Sequence, residues 1–165
     1  IFVGAEGQIS NEVSRESRDY RIKLDVYIQS LQMENSVIFR GFLKKQDLSK
    51  ILLSADMAVV LYKDGVSSRR TSFMTLLSCG LPIITTSGDT VMEGLVNYQN
   101  VLLLRNQDQE GQLKRYLIEL INSKELRNRL SLGTQELSKR YSWSVISKNT
   151  IDIYNSLIKQ DAKNA

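Results

Sequence analysis

The side chains with the most chemistry in this chain crowd into one short stretch, Gly65-Val66-Ser67-Ser68-Arg69-Arg70-Thr71. Hydroxyls and guanidinium groups fill a turn that leads into a helical pattern. Ser67 or Ser68 is placed to cap that helix, and both arginines are expected in its first turn. There each arginine loses about 0.3–1 kcal/mol by opposing the partial positive charge of a helix N-terminus. A bound anion reverses the sign of that effect, and the guanidinium fork suits phosphate oxygens. The chemistry expected is therefore anion recognition. The plainer reading is that both arginines are solvated or paired with Asp64 or Asp89. Position favours the anion, because the turn follows the apolar run Met57 to Tyr62. Doubly wound sheets bind ligands outside the carboxyl ends of their strands.

Other chemistry is narrowed by what the chain lacks. It has 165 residues, no histidine and one cysteine, Cys79. Ser-His or Cys-His nucleophile pairs and histidine metal sites are therefore outside its repertoire, as is an internal disulfide framework. No metal site is expected. The net charge of +4 suits an anionic ligand but is too diffuse to imply nucleic acid. With no bilayer-length apolar run and no signal-peptide pattern, the simplest compartment is the cytosol. The chain opens on Ile1, within what reads as a strand, which suggests a piece of a longer protein.

The elements that must position the turn follow from hydrophobic periodicity. Short, nearly continuous apolar runs occur at Ile1 to Ala5, Val37 to Phe42, Met57 to Tyr62, Pro82 to Thr86 and Val101 to Arg105. Such runs predict strands buried on both faces. Helical spacing fills the gaps. Leu24, Ile28 and Leu31 share a face within Ser14 to Met33. Leu48, Ile51, Leu52 and Ala55 do so within Lys44 to Ala55, with Asp47 a candidate N-cap. Phe73, Leu76 and Leu77 form the stripe of Ser68 to Cys79, which Gly80 and Pro82 stop. After Arg105 the pattern is helical: Gln109 to Asn122, then a helix through Leu126, Leu130 and Leu137, then one through Ile151, Tyr154, Leu157 and Ile158. The longest loop is Ser87 to Asn100, with a helical turn expected over Val91 to Val96. Alternating strands and helices predict an α/β fold, a Rossmann-like parallel sheet with helices on both faces and extra C-terminal helices. Residues 1–165 read as a single domain.

The order V-x-F-x-G-F, a helix ending Ser-Ala-Asp, an apolar strand, a polar turn, a helix and Cys79-Gly-Leu-Pro-Ile-Ile-Thr-Thr, then KELRNRL and RYSWSVISKNTIDIY, resembles a known family. It is similar to the C-terminal, nucleotide-sugar-binding domain of the family 4, or group 1, glycosyltransferases of GT-B fold. The resemblance implies that the chain lacks its first βα unit and an N-terminal acceptor domain. It implies a nucleotide-diphosphate sugar as donor substrate, no cofactor, retaining transfer to an acceptor hydroxyl, and peripheral membrane association through the missing domain. Polysaccharide biosynthesis is the expected setting.

The family carries two glutamates in the helix before the Cys-Gly-Leu-Pro block; here their positions fall on Ser67 and Thr75. The variant Gly-x-Ser-x-Arg-Arg, seen in some members, replaces them. On that resemblance Gly65, Ser67, Ser68, Arg69, Arg70, Thr71 and Thr75 are candidate donor-binding residues. Gly41, Phe42 and Leu43, after V-x-F-x-G, are candidates for contact with the base. Gly41 as a plain strand-end turn and Phe42 as core are equally open. Lys44 and Lys45, the Gly4 and Gly7 turn, Ser87, Gly88 and Glu93 are weaker candidates. Trp143, Ile151 and Tyr154 are expected to pack, and no catalytic residue is assigned. Loss of both acids leaves open a degenerate, non-catalytic scaffold or protein-interaction module. A nucleotide-sugar epimerase or a flavodoxin-like signalling domain would need acidic or histidine groups that this chain does not supply.

Overall fold

The computed structural model describes residues 1–3, 11–88, 92–105 and 109–164. Its contacts divide the chain into two compact units, Ile1–Ile51 and Leu52–Ala165.

The first unit holds helix α1 (Asn11–Ser30), followed by the start of α2 (Lys45–Ser54). Among the described residues the two strands expected here show one parallel bridge, between Phe2 and Phe39. Phe2 N–H donates to Ile38 O at 2.7 Å and Arg40 N–H donates to Phe2 O at 2.9 Å. The Phe2 and Phe39 rings stack 4.9 Å apart, and the Arg21 guanidinium lies 3.6 Å from the Phe39 ring centre. Two isolated strands are marginal without further partners, which accounts for the short pairing and for the exposure of Ile1, Phe2 and Val3. Ile28 is the buried residue of the α1 stripe, and Leu31 is exposed. Asp47 lies in the first turn of α2, not at its N-cap. A carboxylate is favourable there against the helix dipole.

The second unit contains β1 (Ala58–Val60), α3 (Thr71–Ser78), β2 (Ile83–Thr86), β3 (Leu102–Leu104), α4 (Gln109–Asn122), α5 (Lys124–Arg140) and α6 (Trp143–Asn164). Among the described residues the sheet is parallel, in the order β1-β2-β3. Ala58 pairs with Ile83 and Val60 with Thr85; Ile84 pairs with Leu102 and Thr86 with Leu104. All four residues of β2 are buried, as a central strand covered on both faces requires. Successive side chains of a strand leave on opposite faces. Ile83 accordingly packs with Phe73, Leu76, Leu77, Val101 and Leu137. Ile84 packs with Leu102, Leu104, Tyr116, Leu120 and Leu130.

Local chemistry sets the element ends. Gly80, at φ +68°, donates from its N–H to Leu77 O, and Leu81 N–H donates to Leu76 O. This pair of bonds closes α3 in a Schellman motif and turns the chain into β2. Ser123 caps α5 by accepting from Leu126 N–H at 3.1 Å. On β3, Leu103 N–H donates to Asn97 Oδ1 at 2.9 Å, and Tyr116 O–H donates to Leu103 O at 3.3 Å. The helical turn expected over Val91 to Val96 is absent among the described residues, where Glu93 and Gly94 form a simple turn. On α6, Trp143 is 84% exposed, and Ile151 and Tyr154 are also exposed rather than packed.

One titration follows from this frame. Tyr98, held at φ +61°, donates its hydroxyl to Glu119 Oε2 at 2.9 Å. Burial, then the hydrogen bond to Glu119 and its charge, push the Tyr98 pKa from the ordinary 10.0 up to about 12. The folded state holds this proton more tightly than the unfolded chain. Its contribution to stability is therefore complete below about pH 10 and is lost as pH rises towards about 12. Urea unfolding across that range should show the decline, and Tyr98→Phe should remove this residue's share of it.

Candidate functional site

The turn between β1 and α3 is fixed to the carboxyl end of β2 by backbone and one hydroxyl. Thr86 is 3% exposed. Its Oγ1 accepts from Tyr62 N–H at 2.8 Å and donates to Tyr62 O at 2.7 Å. Val66 N–H donates to Thr86 O at 3.0 Å, and Ser87 N–H donates to Leu104 O at 2.8 Å. Between these ties the chain reverses through Lys63-Asp64-Gly65, with Gly65 at φ +84°. A Cβ on Gly65 would fall 2.3 Å from Gly88 Cα, and one on Gly88 would fall 2.2 Å from Asp64 O. Both glycines are therefore required by backbone-to-backbone approach, and Val66 then drops into the core.

Beyond Val66 the order differs from the expected one. Arg70 N–H donates to Ser67 O at 3.1 Å, which closes a turn over Ser67 to Arg70. The helix begins afterwards, at Thr71, with Arg70 in extended conformation at its N-cap. Neither Ser67 nor Ser68 caps α3, and neither arginine lies in its first turn. No side-chain oxygen caps this end among the described residues, which leaves the first amides of the helix without a capping side chain. The expected dipole penalty is relieved for Arg70 by a partner: its Nη2 donates to Asp64 Oδ1. Its guanidinium also lies over the Tyr62 ring, 4.9 Å from the ring centre. The Tyr62 hydroxyl is 2.7 Å from Ser72 Oγ. Arg69 is exposed and has no ion-pair or ring partner among the described residues.

The remaining candidates are placed as follows. Ser67 is half-buried, and Ser68 and Thr71 are exposed. Thr75 is half-buried, and its hydroxyl donates to Thr71 O at 2.8 Å. These residues share one corner with Gly65, Arg69 and Arg70, together with Ser87 and Gly88. Gly41, Phe42 and Leu43 belong to the first unit. Gly41 sits at φ +58° with open space where a Cβ would be, Leu43 is half-buried and Phe42 is 83% exposed, so Phe42 is not core. Lys44 and Lys45 are exposed, while Glu93 is exposed with its backbone O accepting from Tyr141 O–H at 2.8 Å. Gly4, Gly7 and Asp89 lie outside the described residues. Sequence reasoning missed Tyr62 and Thr86. The signal for Thr86 was a hydroxyl residue closing an otherwise apolar strand. Among the described residues no group of three or more His, Cys, Asp or Glu could hold a metal ion, and no helix is long and apolar enough to cross a membrane.

A parallel sheet flanked by helices, with the turn from Tyr62 to Arg70 at its carboxyl edge, is a Rossmann-like α/β architecture. The chain belongs to the group 1 glycosyl transferases, whose family profile matches residues 2–136. A curated relative, the uncharacterized glycosyltransferase MJ1178 of Methanocaldococcus jannaschii, is 32% identical over 85 residues, covering 49% of this chain and 23% of that protein. Two solved structures share the fold. Anabaena Alr3699/HepE, crystallised in complex with UDP, superposes with a TM-score of 0.75 at 19% identity, over 93% of this chain and 40% of its own. Sucrose-phosphate synthase (tll1590) from Thermosynechococcus elongatus gives a TM-score of 0.64 at 19% identity, over 96% of this chain and 38% of its own. The chain thus spans less than half the length of each of these relatives.

Proposed function

We propose that this domain binds the nucleoside-diphosphate sugar of a retaining glycosyltransferase and presents its diphosphate to the corner after β1. The observation that carries the reading is the uncapped N-terminus of α3 beside Arg69, a cation unpaired among the described residues. Uncapped amides, a positive helix end and a guanidinium form an anion site in which charge can be stabilised without reorganisation. The UDP held by HepE, a protein of the same fold, supports a nucleoside diphosphate as that anion.

In this reading the hydroxyls of Ser68 and Thr71 serve phosphate oxygens. Ser67 and Thr75, at the positions of the family's glutamates, meet the sugar and ribose as neutral partners. The bond from the anomeric carbon to the diphosphate breaks, and the diphosphate leaves with the electron pair. The acceptor oxygen bonds to the same carbon and gives up its proton. The acceptor and the proton-accepting group belong to another domain, and no resident cofactor takes part. The reading sets the reaction in the cytosol, with peripheral membrane association made through that other domain.

Calorimetry of the full-length protein with UDP- and GDP-sugars, followed by NMR of the product anomer, tests it. Binding of one donor class and a product with the donor's anomeric configuration are expected. Absence of binding to any nucleotide sugar would instead leave the degenerate scaffold.

A further inference from the structure

The two arginines are adjacent in sequence but stand in different surroundings. Arg70 is already occupied on two sides. Asp64 accepts its Nη2 proton, and the Tyr62 ring lies 4.9 Å below its guanidinium carbon. Tyr62 is itself immobilised, its N–H and C=O both bound to the buried Thr86 hydroxyl. Its phenol reaches Ser72 at 2.7 Å, in the first turn of α3. A chain of contacts therefore runs from β2, through Thr86 and Tyr62, to Arg70 and the helix start. Arg69 takes part in none of them and is exposed.

We infer that the pair divides its work: Arg70 is a positioning residue that clasps the turn between Asp64 and Tyr62, and Arg69 is the guanidinium that meets the diphosphate. This rests on the donor-binding reading above. The Asp64–Arg70 pair adds no net charge to the corner, so the attraction for a dianion comes from Arg69 and the helix end. The pair is exposed, so little folding stability depends on it. Its effect lies in holding the backbone from Ser67 to Thr71 in the geometry that leaves the α3 amides uncapped. Preorganisation of this kind raises affinity by sparing the ligand the cost of ordering the loop.

The test is calorimetry of the full-length protein with UDP and GDP at two salt concentrations, for Arg69→Ala, Arg70→Ala, Asp64→Asn and the double variant Asp64→Asn/Arg70→Ala. Arg69→Ala should weaken binding about tenfold or more and flatten its salt dependence. Arg70→Ala and Asp64→Asn should each weaken it about threefold, and the double variant should be no worse than either single one, the signature of coupled residues. Because the double variant removes both charges together, its salt dependence should match that of the parent protein. Tighter UDP binding by Asp64→Asn, with Arg70→Ala as damaging as Arg69→Ala, would show that Arg70 grips the ligand itself and would overturn the inference. So would an undiminished affinity in Arg69→Ala while the other variants weaken. If the parent protein binds neither nucleotide, the donor-binding reading fails and the inference falls with it; if the parent binds and no variant alters binding, the inference alone is overturned.

Discussion

On the proposed donor-binding role, Arg69→Ala in the full-length protein is expected to lower kcat/KM for sugar transfer about 100-fold, the scale of losing one preorganised donor at a site of developing charge. In that role Arg69 holds the diphosphate before transfer and meets its growing charge as the anomeric bond breaks, so the loss should be shared between a higher KM and a lower kcat. Arg69→Lys keeps the charge but not the fork and should restore only part of the rate. Arg69 is exposed and supports no other described residue. Its removal should therefore change folding stability by no more than about 0.5 kcal/mol. Steady-state kinetics with an unfolding curve for each variant separates the two effects. A loss of rate matched by a loss of stability would contradict the assignment.

The second large effect is expected from Gly65→Ala. A methyl group at this position meets Gly88 Cα and N at 2.3 Å, and these are backbone atoms that cannot rotate away. The residue also sits at φ +84°, where a non-glycine residue costs about 1–2 kcal/mol. Overpacking adds about 1–3 kcal/mol more. The shift should move the whole turn off β2 and break the bond from Val66 N–H to Thr86 O. Denaturant unfolding should report a destabilisation of about 3 kcal/mol, and donor binding should be lost together with stability. Gly41→Ala provides the contrast. Gly41 also has a positive φ, but open space surrounds the position of its Cβ, so only the conformational cost of about 1–2 kcal/mol applies.

The sequence was most informative where one periodic pattern dominated. Leu113, Tyr116, Leu117 and Leu120 set a stripe so regular that α4 occupies the expected Gln109–Asn122. Gly80 followed by Pro82 marked the end of α3, and a left-handed glycine does close it. The start of the same helix was less legible. Ser67 and Ser68 have the composition of caps, yet the carbonyl of Ser67 takes the Arg70 amide in a tight turn and delays the helix to Thr71. No local propensity encodes that choice, because it depends on Val66 being drawn into the core. The apolar runs at Ile1 to Ala5 and Val37 to Phe42 have strand composition, but strands also need neighbours, and among the described residues a Phe2–Phe39 bridge is the pairing seen. The pairing of Arg70 with Asp64 stood as one of two open options. The Tyr62 to Thr86 clamp was invisible, since a threonine in an apolar run reads as β-branched filler until its hydroxyl is seen on a backbone far away in sequence.

The side chains of Asn97 and Tyr116 occupy the backbone N–H and C=O of Leu103. With both groups taken, Leu103 offers no free backbone partner to a strand from a second molecule. Edge-to-edge pairing is disfavoured at Leu103 without a charged or proline guard residue in β3 itself.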